Sequence, residues 1–412
     1  MKLLPHLLRR FVAKGRLTVI DHAGARHAFG SGEDGPAVTI RFTDAKVERE
    51  IFLNPELRAA EAYMDGRLVF EEGSGVFDLL RLFSVNRAGL GSHPLQQALR
   101  RSWKALRGVH QANERGRAAK NASAHYDHPE SFYRLWLDER MAYSCAYFER
   151  PDQSLEDAQL AKFRHIAAKL KLEPGMRVAE IGSGWGGLAI YLAKVCGAQV
   201  TAINVSPDQL AASRARAEAA GAAGSIAFVE QDYRELTGSF DRVVSVGMME
   251  HVGVAHFDAY FAAVSRLVAP GGFALIHAIG RMSPPGSTAP FIRKYIFPGG
   301  YVPALSEVFA STERSRLWVA DCEILRLHYY WTIKAWRERF TARRAEVAAQ
   351  MGERFARMWE FYLAAVELGF LDGSNMVFQI LVAQTRDAVP VRRDYMLDEE
   401  RRLAALEAEA AV

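Results

Sequence analysis

One run constrains this chain more than any other: Glu180-Ile181-Gly182-Ser183-Gly184-Trp185-Gly186-Gly187. An apolar, strand-like stretch, Arg177–Ile181, leads into it, and a helical stretch, Leu188–Cys196, leads out. Glycines at such a junction let backbone approach a ligand closely, and the positive end of the following helix favours polar or anionic groups there. The rhythm continues on both sides. Strands are expected at Gln199–Val205, Ile226–Glu230, Arg242–Val246, Gly272–His277 and Met376–Ala383, and helices at Asp157–Leu172, Asp208–Ala220 and His256–Leu267. Strands alternating with helices of this length predict right-handed βαβ units, hence an α/β, Rossmann-like, mostly parallel sheet.

The glycines can be parsed as the dinucleotide pattern G-x-G-x-x-G, which alone says little. The placement of acids decides the ligand. Glu180 stands at the end of the first strand, where it can attract a cationic group, whereas a nicotinamide site wants an acid after the second strand. That later position holds Asn204-Val205-Ser206, polar but uncharged. Gln231-Asp232-Tyr233 follows the third strand and suits an adenine ring between a polar group and an aromatic face. Together these features predict S-adenosylmethionine as the ligand.

Around this core the chain of 412 residues divides into three expected parts. Residues 1–98 read as a small α+β domain, with strands at Arg16–Asp21 and Ala37–Phe42 and helices at Leu57–Met64 and Val76–Phe83. Residues 99–120 read as a basic linker helix: Arg100, Arg101, Lys104, Arg107, Arg115, Arg117 and Lys120 stand against a single acid, Glu114. Trp103, Leu106 and Val109 fall at helical spacing among them, which suits either an anionic membrane surface or a solvated connector. Residues 121–412 hold the α/β domain. After Gly280 the βα rhythm is interrupted by a Pro/Gly-rich loop, the segment Phe291–Tyr301 and a long Arg-rich helix near Ala335–Phe370, inserted as a lid or substrate wall. No run approaches the roughly 18 apolar residues of a membrane span. The three cysteines, Cys145, Cys196 and Cys322, are odd in number and too scattered for zinc, so no metal is expected and a reducing cytoplasm fits. The amino terminus lacks the long apolar run and cleavage site of a signal peptide. The net charge of +4 is modest and by itself implies nothing about partners; no nucleic-acid partner is expected.

Further motifs carry a family resemblance. They are His125-Tyr126-Asp127, Tyr143-Ser144-Cys145-Ala146-Tyr147-Phe148, Gly182–Gly187, Gln231-Asp232-Tyr233-Arg234, the run Ser245–Gly253, His277-Ala278-Ile279-Gly280, Lys294–Pro298 and His328-Tyr329. With them the sequence resembles the cyclopropane-fatty-acid synthases, including the mycolic acid cyclopropane synthases and methyltransferases, over roughly residues 124–384. The resemblance implies a class I S-adenosylmethionine-dependent methyltransferase with a seven-stranded sheet and inserted helices. It also implies transfer of a methylene carbon to the cis double bond of an acyl chain in a phospholipid. It assigns cofactor binding to Tyr143, Ser144, Gly182, Gly184, Asn204, Val205, Gln209, Tyr233 and Arg234, to which the loop reading adds Glu180, Gly186 and Asp232. It assigns a bound bicarbonate base to Cys145, Glu250, His277, Ile279 and Tyr329, with Cys145, Glu250, His277 and Tyr329 as the catalytic set.

Two positions depart from the pattern: Ser183 and Val366 stand where many members carry cysteine. His251 reads as a supporting residue. The resemblance further implies a homodimer on the inner face of the membrane. An aromatic wall (Phe291, Ile292, Tyr295, Ile296, Phe297, Tyr301, Trp331, Trp336, Trp359, Phe361) would take the acyl chain, and Arg293, Arg337, Arg339, Arg343 and Arg344 would meet phosphate headgroups. A methyl-branched or methylene lipid product, or a small-molecule methyl transfer, remains the competing expectation.

Overall fold

A computed structural model describes residues 4–87 and 128–410, which form two compact units. The basic stretch Arg100–Lys120 and the motif His125-Tyr126-Asp127 lie outside the described residues.

The larger unit contains residues 128–286, Pro298–Thr332 and 375–410. Its seven-stranded sheet comprises β5 (Arg177–Ile181), β6 (Gln199–Asn204), β7 (Ile226–Glu230), β8 (Phe240–Val246), β9 (Val268–Arg281), β10 (Trp318–Ile324) and β11 (Asn375–Ala383). The order is β10-β11-β9-β8-β5-β6-β7. Strands β5 to β9 pair in parallel, while β11 runs antiparallel to both β9 and β10. Helices cover both faces, so the central strands are apolar throughout: Val178, Ala179, Val243, Val244, Leu275 and Ile276 are fully buried. The strand order reverses direction at β5, and the carboxyl end of that strand opens a crevice in which such sheets bind ligands.

The helix Leu155–Leu170 covers one face of this sheet. Ser154 begins it by accepting a hydrogen bond from the Asp157 N–H at 3.1 Å. Lys171, in the left-handed region at φ 46°, ends it just before Pro174-Gly175. The helix presents Gln159, Lys162 and Lys169 to the interior, although each is polar. Sequence patterning gave no sign of strand β10. It is an edge strand with Trp318 and Val319 exposed and Asp321 and Glu323 along it, so it lacks the apolar run of an interior strand.

The smaller unit contains residues 4–87, Ser287–Phe297 and Ile333–Ser374. Its sheet, β2-β1-β3-β4, is made of β1 (Arg16–Ile20), β2 (Arg26–Phe29), β3 (Ala37–Phe42) and β4 (Leu68–Glu71). Leu7, Phe11, Val19, Ile40 and Leu82 form its core with Phe42. The inserted segments expected in the α/β domain pack instead in this unit. Glu61 accepts from Lys294 Nζ at 2.7 Å and from the Tyr295 hydroxyl at 2.8 Å, and the Tyr63 hydroxyl donates to Glu360 at 2.8 Å. The long helix expected over Ala335–Phe370 is three: His328–Ala342, Arg344–Met351 and Glu353–Leu371. Gly352, at φ 88°, breaks the last pair, a turn that a residue with a side chain resists.

Candidate active site

The crevice at the end of β5 is a cavity of about 190 Å³ within the larger unit. Of the residues expected to bind cofactor, Tyr143, Ser144, Glu180, Gly182, Gly184, Asn204, Val205, Gln209, Asp232, Tyr233 and Arg234 line it. Gly186 does not. It caps the helix Gly187–Lys194 at φ 78°, and a Cβ there would lie 2.8 Å from the Ser213 Cβ and 3.1 Å from the Phe228 ring. Its glycine is demanded by packing beneath the loop.

Each wall has a local cause. The Asn204 side chain donates to Gly184 O at 3.2 Å and to Gln209 Oε1 at 2.8 Å, while its own Oδ1 accepts from the Val205 N–H at 2.7 Å. One uncharged side chain thus joins the glycine loop to the second strand's loop. Arg234 grips Asp232 through both carboxylate oxygens, at 2.7 and 2.6 Å, and lies 5.3 Å from the centre of the Tyr233 ring. On the opposite wall Asp138 accepts from the Arg140 and Ala142 N–H groups, each at 2.9 Å, which holds Met141 at φ 56°. The Gln159 amide then donates to Ala142 O at 3.1 Å and Ser144 O at 3.0 Å, and Lys162 Nζ donates to Ser144 Oγ at 2.9 Å.

Glu180 is buried in the cavity wall, and its Oε2 has no hydrogen-bond partner among the described residues. Burial pushes its pKa up to about 8, opposed by Lys162. Burial likewise takes Lys162 down to about 8, opposed by Asp138, Cys145 and Glu180. A buried, unpaired acid, a neighbouring cation, open loop glycines and a polar aromatic end together fit S-adenosylmethionine.

The second set of expected residues adjoins this cavity. His277 and Ile279, two apart on β9, project to one side of the strand. The Ile279 N–H donates to Glu250 Oε1 at 2.6 Å, and Glu250 Oε2 has no partner among the described residues. Burial raises the Glu250 pKa to about 7, against the lowering effect of that N–H. The His277 carbonyl accepts from the Gly247 N–H of the cavity wall at 2.8 Å. Its ring is kept neutral by burial first, then by the cations Lys162 and Lys169. Cys145 and Tyr329 come from paired segments. The Ala146 N–H donates to Thr332 Oγ1 at 3.0 Å and the Phe148 N–H to His328 Nδ1 at 2.9 Å, tying the Cys145 loop to the start of the Tyr329 helix. The Cys145 thiol is buried, donates to Ala146 O at 3.2 Å and is held protonated by burial. It is therefore no nucleophile. Glu250 Oε2, the neutral His277 imidazole and Tyr329 are all buried.

Sequence reading missed a polar chain behind His277. Gln379, its cross-strand partner on β11, has its amide orientation set by Lys169, whose Nζ donates to Gln379 Oε1 at 2.8 Å. The amide nitrogen, 3.1 Å from His277 Nδ1, must then be the donor, which leaves the imidazole proton on Nε2. Lys169 also pairs with Glu323, which accepts from His165 at 2.7 Å. Lys162 was missed too, because a lysine in the middle of a helix reads as solvated surface. His251 lines the cavity, and burial lowers its pKa to about 4.

Other expectations are narrowed. Arg337 is paired with buried Glu367 and Arg344 with Glu353 and Glu360, at 2.8 and 2.9 Å for the latter. Phe291, Ile296, Trp336 and Trp359 are core residues of the smaller unit, and Tyr301 is a core residue of the larger one. Ser183 is buried with its N–H on Ile203 O at 3.0 Å, so the loop holds it through backbone. Val366 sits half-buried in the helix Glu353–Leu371 of the smaller unit.

A seven-stranded sheet of this order, with an acid at the end of β5 and a glycine loop beyond it, defines a class I S-adenosylmethionine-dependent methyltransferase. Comparison with known proteins narrows the class. The family model for mycolic acid cyclopropane synthetase matches residues 113–380, and the chain belongs to that family. It is 35% identical to the cyclopropane-fatty-acyl-phospholipid synthase of Escherichia coli, over 84% of this chain and 87% of that protein. It is also 35% identical to the tuberculostearic acid methyltransferase UfaA1 of Mycobacterium tuberculosis, over 90% and 89%. Among solved structures, the mycolic acid cyclopropane synthase CmaA1 complexed with SAH and CTAB superposes with a TM-score of 0.61 at 29% identity, covering 64% of this chain and 97% of that one.

Proposed function

We propose that this enzyme builds cyclopropane rings on cis-unsaturated acyl chains of membrane phospholipids, with carbon from S-adenosylmethionine and with bicarbonate as the base. The observation that carries the reading is the Glu250–Ile279 hydrogen bond on the strand of His277, next to the methyl-donor cavity. When bound, S-adenosylmethionine supplies an electrophilic methyl group, and bicarbonate supplies a site for the proton lost as the ring closes.

The chain's own residues have three tasks. The walls must hold donor and alkene in contact, because an isolated double bond is a weak nucleophile. They must also exclude water, which would trap a lipid cation as an alcohol. Glu250, His277 and Tyr329 must hold a small oxyacid. Glu250, anchored through one oxygen, offers the other as an acceptor, and His277 offers its Nε2–H as a donor. The pKa of Glu250 near 7 lets it share a proton with a second anion at low cost. Cys145, kept as a thiol, contributes backbone without offering a nucleophile that the donor would alkylate.

Gln379→Leu tests the tautomer argument. It removes the donor to Nδ1, and kcat is expected to fall about tenfold with S-adenosylhomocysteine affinity unchanged. An unaltered kcat would remove Gln379 from the account.

A second reading has its own support, since one relative of equal identity is named a tuberculostearic acid methyltransferase. In it the same donor site would deliver a methyl branch. The enzyme would work at the inner, cytoplasmic face of the membrane as a peripheral protein, held by the basic stretch Arg100–Lys120 and paired as a homodimer through residues 1–98. Among the described residues no helix is long and apolar enough to cross a membrane. The proposal is tested with methyl-labelled S-adenosylmethionine and vesicles of cis-unsaturated phosphatidylethanolamine and phosphatidylglycerol. Label is expected in the acyl chains; turnover of soluble amines or phenols with none in lipid would overturn the reading.

A further inference from the structure

Two ionisable side chains of opposite type line the methyl-donor cavity without meeting. Lys162 is 2% exposed, and its Nζ lies 2.9 Å from Ser144 Oγ and 4.4 Å from the centre of the Phe163 ring. Glu180 is 3% exposed, with Oε2 unpartnered among the described residues. A structural ion pair would close into direct contact, since burying either charge alone is costly. No such pair joins them among the described residues. Asp138, the other carboxylate near Lys162, has its two oxygens engaged by the Ala142 and Arg140 N–H groups. A cavity that keeps an acid and a lysine buried but apart is complementary to a ligand that carries both charges.

Resting on the methyl-donor reading of this cavity, we infer that Lys162 and Glu180 clamp the zwitterionic amino-acid end of S-adenosylmethionine. Glu180 accepts from its α-ammonium, while Lys162 and the Ser144 hydroxyl donate to its α-carboxylate. Ser144 fits the relay, because its oxygen accepts from Lys162 and its proton is left to point onward. The pKa directions agree: burial lowers Lys162 and raises Glu180, and a zwitterion between them would favour the charged form of each. Lys162 therefore joins the cofactor-binding residues, and Gln159, one helical turn before it, fixes the loop that carries Ser144.

The test is titration calorimetry on the full chain with two ligands, S-adenosylhomocysteine and its decarboxylated analogue. The wild type is expected to prefer S-adenosylhomocysteine by about 10- to 100-fold. Lys162→Met is expected to erase that preference by weakening S-adenosylhomocysteine alone, with the analogue unchanged to within about twofold. Ser144→Ala should shift the same ratio in the same direction, more weakly, and it covers the case in which Lys162→Met does not fold. A wild type that binds both ligands equally, or a Lys162→Met that weakens both by one factor or neither, overturns the clamp. A wild type that binds neither ligand instead overturns the methyl-donor reading beneath it.

Discussion

Glu250→Gln is expected to cut product formation by about 10²- to 10⁴-fold while S-adenosylhomocysteine binds as tightly as before, within about twofold. The substitution preserves shape and the hydrogen bond from the Ile279 N–H to Oε1. It changes the other end, where a carboxylate oxygen without a partner becomes an amide that can neither take up nor share a proton. The cofactor walls are separate residues, so affinity should not follow. The wild-type rate should decline as pH falls through about 7, because burial has raised the Glu250 pKa to that value and the protonated acid no longer accepts. The stability sign is opposite. A carboxyl whose folded pKa is raised contributes stability below its unfolded pKa of 4.5 and loses it as pH rises through about 7. Melting temperatures of the ligand-free wild type should therefore decline over this window more than those of Glu250→Gln. Full activity in the variant, or loss of cofactor binding in parallel with rate, would contradict the role given to Glu250.

Glu180→Gln should trade binding for stability. Its carboxyl is buried and unpartnered, and its pKa is raised to about 8, so the folded ligand-free chain bears a cost that grows between pH 4.5 and about 8. At pH 7 this cost is on the order of 3 kcal/mol. The amide avoids it, so the variant's melting temperature should exceed the wild type's near pH 8 and converge on it near pH 4. Affinity for S-adenosylhomocysteine should fall about 10- to 100-fold, since a charge-assisted bond to the ligand's ammonium is lost. Calorimetry measures both quantities; unchanged affinity would remove Glu180 from the cofactor site.

The β5–glycine loop unit was legible because its signals are local: an apolar run, glycines and an acid at a strand end. Strand β9 was recognised but runs well past Gly272–His277, through Ile279 to Arg281, because pairing with β11 extends it. Strand β10 was invisible because an edge strand needs no apolar face, and Asp321 and Glu323 made it resemble a loop. The inserted helices were seen, but not that they pack with residues 4–87, since Lys294–Glu61 and Tyr63–Glu360 join positions far apart in sequence. Lys162, Lys169 and Gln379 escaped for a related reason. A polar residue in a helix or strand is read as solvated until the structure shows it buried beside Ser144 or His277. Gly186 shows the converse: the packing against Ser213 and Phe228 that requires glycine there cannot be read from the loop motif.

The measurement that tests the central claim most directly is proton NMR of phospholipid acyl chains from a host that lacks cyclopropane lipids and expresses this chain. The account predicts high-field ring-methylene resonances, accompanied by acyl chains heavier by one CH2, from the wild type and their loss with Glu250→Gln. Heavier chains that show a branched methyl or an exocyclic methylene in place of ring protons would contradict it.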